Sequence, residues 1–172
     1  MMLKYAVVTA AFAMLAGCGQ ETPAEQAAEN ARDVAMVERM SREPLKPIVP
    51  IPITAEDIDG YGLDRPGCSF AKQAPGAAPI FIATSTEGFM RVGRDFKRFA
   101  AKGTSADLPG GARTTYVGLS SWVDIVRLPD EGMASDANTW PARLIIHDSQ
   151  ERVAYRADGV MHCRGSDAPP RR

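Results

Sequence analysis

Hydrophobic positions along the chain change their spacing near residue 67. From Gly67 onward, short apolar and β-branched runs are separated by glycine, proline and aspartate, a pattern typical of antiparallel barrels and sandwiches. The runs that we expect to form strands are 68–72, 80–85, 89–92, 96–100, 113–117, 122–128, 142–147, 152–157 and 160–164. The sequence therefore predicts a mainly β fold, a small antiparallel β-barrel or sandwich of about eight strands.

The last long hairpin has a register that follows from its apolar residues. With its tip at 149–150, Ile146 would face Val153 and Leu144 would face Tyr155. The large apolar side chains, Ile145 excepted, then share one face, and a slip of one residue would scatter them. The pattern thus predicts which side of the hairpin enters the core.

Four basic or titratable side chains fall on the opposite face of this hairpin. They are Arg143, His147, Arg152 and Arg156. The predicted register sets Arg143 against Arg156, and two opposed arginines repel each other unless acids or an anionic partner lie near. This is the candidate binding face, suited to an acidic protein, peptidoglycan carboxylates or lipid headgroups. The alternative is a solvated face balanced by Asp124 or Asp148.

Residues before the β region begin with a helical signal. Thr22 as N-cap, Pro23 at the first helical position and Glu25 form a capping box, and alanines then recur at helical spacing until Pro44. The apolar stripe is narrow and offers little burial. We therefore expect an Ala-rich helical tether that frays in solution, the alternative being a helix that packs on the domain or on a partner.

A proline-rich stretch over 44–52 follows the helix. Prolines remove backbone donors and favour extended geometry, so this stretch should be a stiff spacer. Its leucine, isoleucines and valine suggest that its second half lies on the domain surface. Thr54 should then cap one short helical turn that ends at Gly60.

The N-terminus reads as a secretory signal. Lys4 precedes an apolar run over 5–17 that ends in small residues before Cys18, and this run is shorter than the ~20 residues that span a bilayer. The sequence Leu-Ala-Gly-Cys at 15–18 resembles the lipobox of bacterial lipoproteins. That resemblance implies removal of the signal peptide, a diacylglyceryl group on the Cys18 thiol and acylation of the new amine.

These signals divide the chain into four parts. They are a signal peptide (1–17), a lipidated N-terminus with its helical and proline-rich tether (18–53), a β domain (54–165) and a disordered tail (166–172). At 172 residues the chain has room for one modest domain, so a two-domain enzyme is not expected. Its formal net charge of -1 argues against a nucleic-acid partner.

Cysteine usage predicts one disulfide. If Cys18 carries lipid, Cys68 and Cys163 remain as an even pair in an oxidising compartment. A metal pair or a catalytic thiol is the alternative, but no further ligand lies at zinc-like spacing. A predicted turn at 158–159 returns the last strand beside 152–157, so the bond would join the two ends of the β domain. Such a bond suits a closed sheet.

The two histidines and the other polar residues form no recognisable catalytic or metal-binding motif. His147 and His162 lie in no metal-ligand pattern, and His162 and Cys163 should point to opposite faces of a strand. We therefore predict no catalytic residue, no metal and no cofactor. Trp122 is expected in the core and Trp140 in a loop or at an edge.

Two further resemblances concern the whole mature chain. Residues 52–57, the segment 67–70 and Cys163 resemble a group of small uncharacterised alphaproteobacterial lipoproteins, which implies no activity. The segment 111–113 with the later Trp122 is similar to the membrane-bound inhibitors of C-type lysozyme, lipid-anchored β-barrels with a disulfide near their ends. Their flanking serine and tyrosine are replaced here, so no inhibitory residue is carried over.

Together these signals predict a lipid-anchored cell-envelope protein with a non-enzymatic β domain for binding or structure. The expected partners are the membrane, through lipid on Cys18, and an envelope protein or peptidoglycan. Gly19 after the cysteine favours the outer membrane, facing the periplasm, by resemblance to enterobacterial sorting. The alternative function is a periplasmic inhibitor of a hydrolase such as lysozyme, and an enzyme comes third.

The lipobox generates the first testable prediction. Cys18→Ser should block lipid attachment and leave the leader uncut, because both steps act at the lipobox cysteine. The protein should then lose its acyl-chain anchor and be absent from the outer-membrane fraction. Membrane fractionation and the mass of the N-terminal peptide measure this. A Cys18→Ser protein that is processed and membrane-bound as before would reject the lipobox.

Overall fold

The computed structural model describes residues 22–72, 77–130 and 136–165. Cys18, the signal peptide and the predicted tail at 166–172 lie outside these residues, so lipidation stays a prediction. The chain divides into two compact units, Met1–Pro44 and Leu45–Arg172, and each is described by itself.

The first unit contains helix α1, Pro23–Ser41. The predicted capping box is confirmed, because the Glu25 backbone N–H donates to Thr22 Oγ1 at 3.3 Å and the Thr22 N–H donates to Glu25 Oε2 at 2.9 Å. These hydrogen bonds from Thr22 hold the pKa of Glu25 below its ordinary value. No residue of α1 is buried, so the helix is stabilised by its cap and by helix propensity rather than by packing.

The second unit is an antiparallel β-barrel. Its elements are β1 Pro50–Ile51, α2 Ala55–Gly60, β2 Gly67–Ala71, β3 Phe81–Ala83, β4 Glu87–Val92, β5 Asp95–Ala101, a 3-10 turn Pro109–Gly111, β6 Thr115–Val117, β7 Ser121–Arg127, β8 Thr139–Asp148 and β9 Val153–Arg164. Strands β2 to β9 pair in chain order, and β2 closes the sheet against β9. The prediction of a mainly β fold is confirmed, with the barrel alternative observed.

Strand β1 is an addition to the eight-stranded barrel. It pairs with β4 at Pro50↔Val92 and Ile51↔Arg91, beyond the part of β4 that pairs with β3. Just before it, the Ile48 N–H donates to the Ala154 carbonyl of β9 at 3.2 Å, and Ile48 packs against the core. The second half of the proline-rich stretch thus lies on the domain, as expected.

The interior is filled by side chains from all eight barrel strands. The largest fully buried ones include Trp140, Tyr116, Phe70, Phe81, Met90, Leu144, Ile146 and Met161. The expectation that Trp140 lies in a loop or at an edge is wrong, since it is only 2% exposed within β8. Its ring faces inward opposite Met161, because strand β8 begins earlier than its apolar run suggests.

Tyr116 is the polar side chain at the centre of this core. Its hydroxyl donates to the Thr84 carbonyl at 2.6 Å and accepts from the Arg113 N–H at 2.8 Å. Burial raises the pKa of Tyr116 to about 12, because the phenolate would be poorly solvated there. The hydroxyl thereby ties the β3–β4 turn to the loop before β6.

The predicted turn at 158–159 is wrong. Strand β9 runs unbroken through Gly159, so the predicted strands at 152–157 and 160–164 are one. A Cβ on Gly159 would lie 2.1 Å from the Ala71 carbonyl oxygen and 2.9 Å from Phe70 Cζ. This glycine lets β2 approach β9 closely rather than forming a turn.

The predicted register of the β8–β9 hairpin is also wrong by two residues. Ile146 pairs with Tyr155 rather than Val153, and His147 pairs with Val153 across a bulge. The Asp148 carboxylate accounts for the longer turn, because its Oδ1 accepts from the Gln150 and Arg152 N–H groups, both at 2.9 Å. A slip of two keeps the paired side chains from Ile146 back to Ala142 on their predicted faces, but the bulge moves Val153 from the predicted core face to the outward face.

Helix α2 and its neighbours cover part of the barrel exterior. Thr54 and Asp57 form the capping box of α2, which ends at Gly60 as predicted. The buried residues Ile53, Leu63, Ile82 and Phe89 form a second hydrophobic cluster. The chain before β2 therefore packs on the outside of β3 and β4.

Cys68 and Cys163 form the predicted disulfide. They lie directly opposite each other on β2 and β9, where the barrel closes. The prediction that the bond joins the two ends of a closed sheet is confirmed.

Removing this disulfide should cost most of the stability of the domain. The double variant Cys68→Ala/Cys163→Ala opens a loop with a sequence separation of 95, and the chain-entropy model gives a loss of about 4 to 5 kcal/mol in the free energy of unfolding. Urea unfolding of the full mature chain measures it. Two titratable thiols in unreduced, periplasmically expressed protein would contradict the bond.

Candidate functional site

The barrel exterior has two unlike halves. The second hydrophobic cluster covers the β3–β4 half. Across β6 to β9, Val117, Val126 and Val153 remain 46%, 44% and 39% exposed. This open half is where a ligand could reach the barrel wall.

Cross-strand pairing arranges the open half in rows. The first row runs through Val117, Trp122, His147 and Val153, and the second through Thr115, Asp124, Ile145 and Arg156. We call these eight residues the Trp122 face. In β7 the buried Val123 and Ile125 alternate with Trp122 and Asp124, so the expectation that Trp122 lies in the core is wrong.

Three contacts fix the Trp122 side chain. Its indole stacks on the His147 imidazole, with ring centroids 4.6 Å apart and planes 8° from parallel. Its Nε1 donates to Asp124 Oδ2 at 3.2 Å. Asp124 is held in turn by the Thr115 hydroxyl, which donates to its Oδ1 at 2.7 Å, and by His147 Nε2 at 3.3 Å from Oδ2. The indole is therefore oriented before any ligand arrives.

A small open pocket lies beside this indole. Lys102, Thr115, Val117, Trp122 and Asp124 line a volume of about 220 Å³. Lys102 enters because its backbone N–H donates to the Thr115 carbonyl at 2.9 Å, which extends the row past the end of β5. The lining thus combines an aromatic, an apolar, a basic, a hydroxyl-bearing and an acidic residue.

Most of the predicted basic side chains are paired with acids. Arg143 Nε and Nη2 donate to the two Asp158 carboxylate oxygens at 2.5 and 2.8 Å, because Asp158 rather than Arg156 lies opposite Arg143. Arg152 Nη2 lies 2.7 Å from Asp148 Oδ2. The predicted oppositions of Arg143 with Arg156 and of His147 with Arg152 are therefore wrong.

These ion pairs shift the pKa values of the groups that form them. The Arg143 guanidinium holds the pKa of Asp158 below its ordinary value, and Asp158 raises the pKa of Arg143. Hydrogen bonding from Arg152 likewise lowers the pKa of Asp148. Arg156 lies opposite Ile145 and forms no ion pair within 4 Å with any described residue, so it is the least compensated member of the predicted set.

A second cleft lies where β2 meets β9. Its lining includes Asp64, Ser69, His162 and Arg164. Arg164 pairs with Asp64, the Ser69 hydroxyl donates to the His162 backbone carbonyl at 3.4 Å, and His162 Nδ1 contacts the Thr139 hydroxyl at 2.9 Å. The serine hydroxyl and the His162 Nδ1 thus have separate hydrogen-bond partners.

Sequence reasoning missed Trp122 and Lys102 as site residues. The period-two alternation of β7 was the available signal for Trp122, because Val123 and Ile125 must face the core. No comparable signal marks Lys102, whose place depends on how the chain leaves β5.

Comparisons with known proteins find no match: no family profile fits the chain, and no curated protein or solved structure is significantly similar to it. Within residues 22–72, 77–130 and 136–165, no helix is long and apolar enough to cross a bilayer. The same residues contain no group of three or more His, Cys, Asp or Glu side chains that could hold a metal ion.

The Arg143–Asp158 pair tests the observed register. Arg143→Gln should raise the pKa of Asp158 toward its ordinary value, measured by NMR titration of its carboxyl group. Because the folded pKa is lowered, the pair stabilises the protein above the ordinary carboxyl pKa and loses this effect as the pH falls through the folded pKa. The variant should therefore be less stable than wild type at neutral pH and equally stable in strong acid.

Arg156→Gln is the matched control for this titration. Arg156 acts on Asp158 only through space, so its replacement should raise the pKa of Asp158 less than Arg143→Gln does. A larger effect of Arg156→Gln would contradict the observed register.

Proposed function

We propose that this protein is a lipid-anchored cell-envelope protein whose β-barrel is a non-catalytic binding domain. The lipid is carried by Cys18, the anchor lies in the outer membrane, and the barrel faces the periplasm. The single observation that carries the binding role is the fixed, solvent-accessible indole of Trp122 on the open half of the barrel. Its contacts to His147 and Asp124 are those of a side chain oriented for a partner.

Energetics favour Trp122 as an anchor for a ligand. Tryptophan is enriched among residues that dominate binding, and an indole that is already fixed loses little side-chain entropy when it is covered. Val117 and Val153 lie in the same row and are partly exposed, so covering the row removes further apolar surface from water. A partner that covers this face therefore loses little side-chain entropy and buries apolar surface.

The absence of catalysis is supported by how the reactive groups are used. Cys68 and Cys163 are joined in the disulfide, and Ser69 and His162 have separate hydrogen-bond partners. In the Trp122 pocket, the Asp124 carboxylate is occupied by hydrogen bonds from Thr115 and Trp122. This arrangement suits recognition better than bond breaking.

One observation favours a hydrolase inhibitor as the second candidate. Leu119 lies in the tight connection between β6 and β7 and is fully exposed, and a protruding apolar side chain can enter a concave enzyme site. The leading proposal expects the protein to leave lysozyme activity unchanged in a turbidity assay. Inhibition would favour the second candidate instead.

The binding role is tested by capture on the full mature chain, purified in mild detergent. Isolated cell-wall sacculi and soluble periplasmic proteins are offered to wild type and to Trp122→Ser. Wild type should retain at least one of the two, and Trp122→Ser should lose that retention, because a central indole typically contributes about 2 kcal/mol or more to binding.

Tyr61→Ser is the matched control for this capture. Tyr61 is a partly exposed aromatic residue that stacks on Phe96 in the covered half, with centroids 4.2 Å apart, so its loss should leave retention intact. Equal retention by Trp122→Ser and wild type, or no retention by wild type, would reject the proposed binding face.

A further inference from the structure

We propose that the pocket beside Trp122 binds an acidic glycan, a saccharide chain that carries carboxylate groups, as peptidoglycan does. This inference rests on the proposed binding function of the Trp122 face and names its ligand. The juxtaposition that carries it is that the oriented Trp122 and Lys102 line the same pocket.

The apolar part of the pocket suits a sugar ring. The indole of Trp122 and the side chain of Val117 provide its apolar walls. A sugar ring has a face of C–H groups and a rim of hydroxyls, and the slightly positive C–H groups favour the negative face of an aromatic ring. Since His147 already covers one side of the indole, a ring that stacks on the rest completes its coverage.

The polar part of the pocket selects for negative charge. Asp124 is a carboxylate, but its oxygens already accept from the Thr115 hydroxyl and the Trp122 N–H, and His147 Nε2 lies close by. Lys102 forms no ion pair within 4 Å with any described residue and lines the pocket. The cation available to a ligand is therefore Lys102, whereas the Asp124 oxygens are already occupied as acceptors. A carboxylate is the natural partner of such an ammonium.

Size and layout favour a chain over a compact molecule. A volume of about 220 Å³ is below the roughly 300 to 1,000 Å³ of pockets that enclose a drug-sized ligand, so the pocket holds one ring. The second row continues from Thr115 to Arg156 over three strand spacings of ~4.8 Å each. A polymer with repeated carboxylates could meet Lys102 at one end of this row and Arg156 at the other.

Charge argues against a nucleic acid in the same place. Stacking on an aromatic residue is also how single-stranded nucleic acids bind, but they require a basic track along the backbone. The chain has a formal net charge of -1, and Arg143 and Arg152 on this side of the barrel are neutralised by Asp158 and Asp148. Glycan carboxylates are sparser and need fewer cations.

The experiment follows the two indole N–H resonances of the full mature protein in detergent micelles. The chain has two tryptophans, and Trp140 is buried, so its signal is the internal reference. The probes are disaccharide-peptide fragments from muramidase-digested cell walls, which carry carboxylates, and an uncharged N-acetylglucosamine tetramer. The Trp122 resonance should shift with the acidic fragments while the Trp140 resonance stays in place.

Variants separate stacking from charge. Trp122→Ser should weaken the affinity for both probes by about 30-fold or more, measured by calorimetry. Lys102→Gln should weaken the affinity for the acidic fragments by about three- to tenfold and reduce its salt dependence, while the neutral tetramer binds as before. Lys97→Gln is the matched control, because Lys97 is paired with Asp95 outside the pocket, and it should change neither affinity.

Several outcomes would overturn the inference. They are an unmoved Trp122 resonance with every glycan, equal affinities for acidic and neutral probes that Lys102→Gln does not alter, and a larger shift with a short single-stranded oligonucleotide than with the acidic fragments. If the inference fails while Trp122→Ser still loses its capture from the envelope, the Trp122 face binds something else and the proposed function stands. If that capture is also unaffected by Trp122→Ser, both fail.

Discussion

Closure of the barrel depends on one contact, the pairing of β2 with β9. Every other neighbouring pair in the barrel joins strands that follow each other in the chain, so these pairs form as local hairpins. The β2–β9 pair must bring together residues almost a hundred positions apart, which carries the largest loop-closure entropy in the fold. Without it the sheet would have two open edges.

Several features converge on this seam. The Cys68–Cys163 bond crosses it, the Arg164–Asp64 ion pair lies beside it, and Gly159 allows the two backbones to approach. Gly110 serves the same contact from the 3-10 turn, because a Cβ there would lie 2.4 Å from the Arg164 carbonyl oxygen and 2.8 Å from the Gly67 nitrogen. Its φ of +71° is also in the region that favours glycine. The long loop before β6 thus helps to close one end of the barrel.

The sequence allowed much of this fold to be predicted, because the relevant signals are local. The capping box at Thr22, the N-cap at Thr54 and the disulfide were found from residue types and their spacing. The errors arose where a distant contact decides. Asp158-Gly159 has the composition of a turn, but Gly159 is needed because the backbone of β2 lies close to it. The turn between β8 and β9 is longer than predicted because the Asp148 carboxylate accepts hydrogen bonds from its amides. Trp122 and Trp140 exchanged their expected places because aromatic residues fit either side of a barrel wall.

The candidate site was only partly predictable for the same reason. His147 and Arg156 were placed on the correct outward face, since a slip of two residues preserves the alternation. The alternative of a face balanced by Asp124 or Asp148 is confirmed for His147 and Arg152, which lie within 4 Å of these carboxylates. The Arg143–Asp158 pair was not found, because it depends on the exact register. Two of the three arginines form ion pairs with aspartates. The cation in the pocket is Lys102 from the end of β5, which forms no ion pair with any described residue.

The position of β1 has a mechanical consequence. A pull on the chain from before residue 45 enters the barrel through Ile48 and β1, which is joined to β4 by only two paired positions. Such a load would peel this short strand away first, before it reached β2. If the opposing load acts on the chain after Cys163, the force then passes along the Cys68–Cys163 bond. The residues between the two cysteines then carry almost no tension. The closed barrel can therefore keep its fold while the short strand β1 detaches under load.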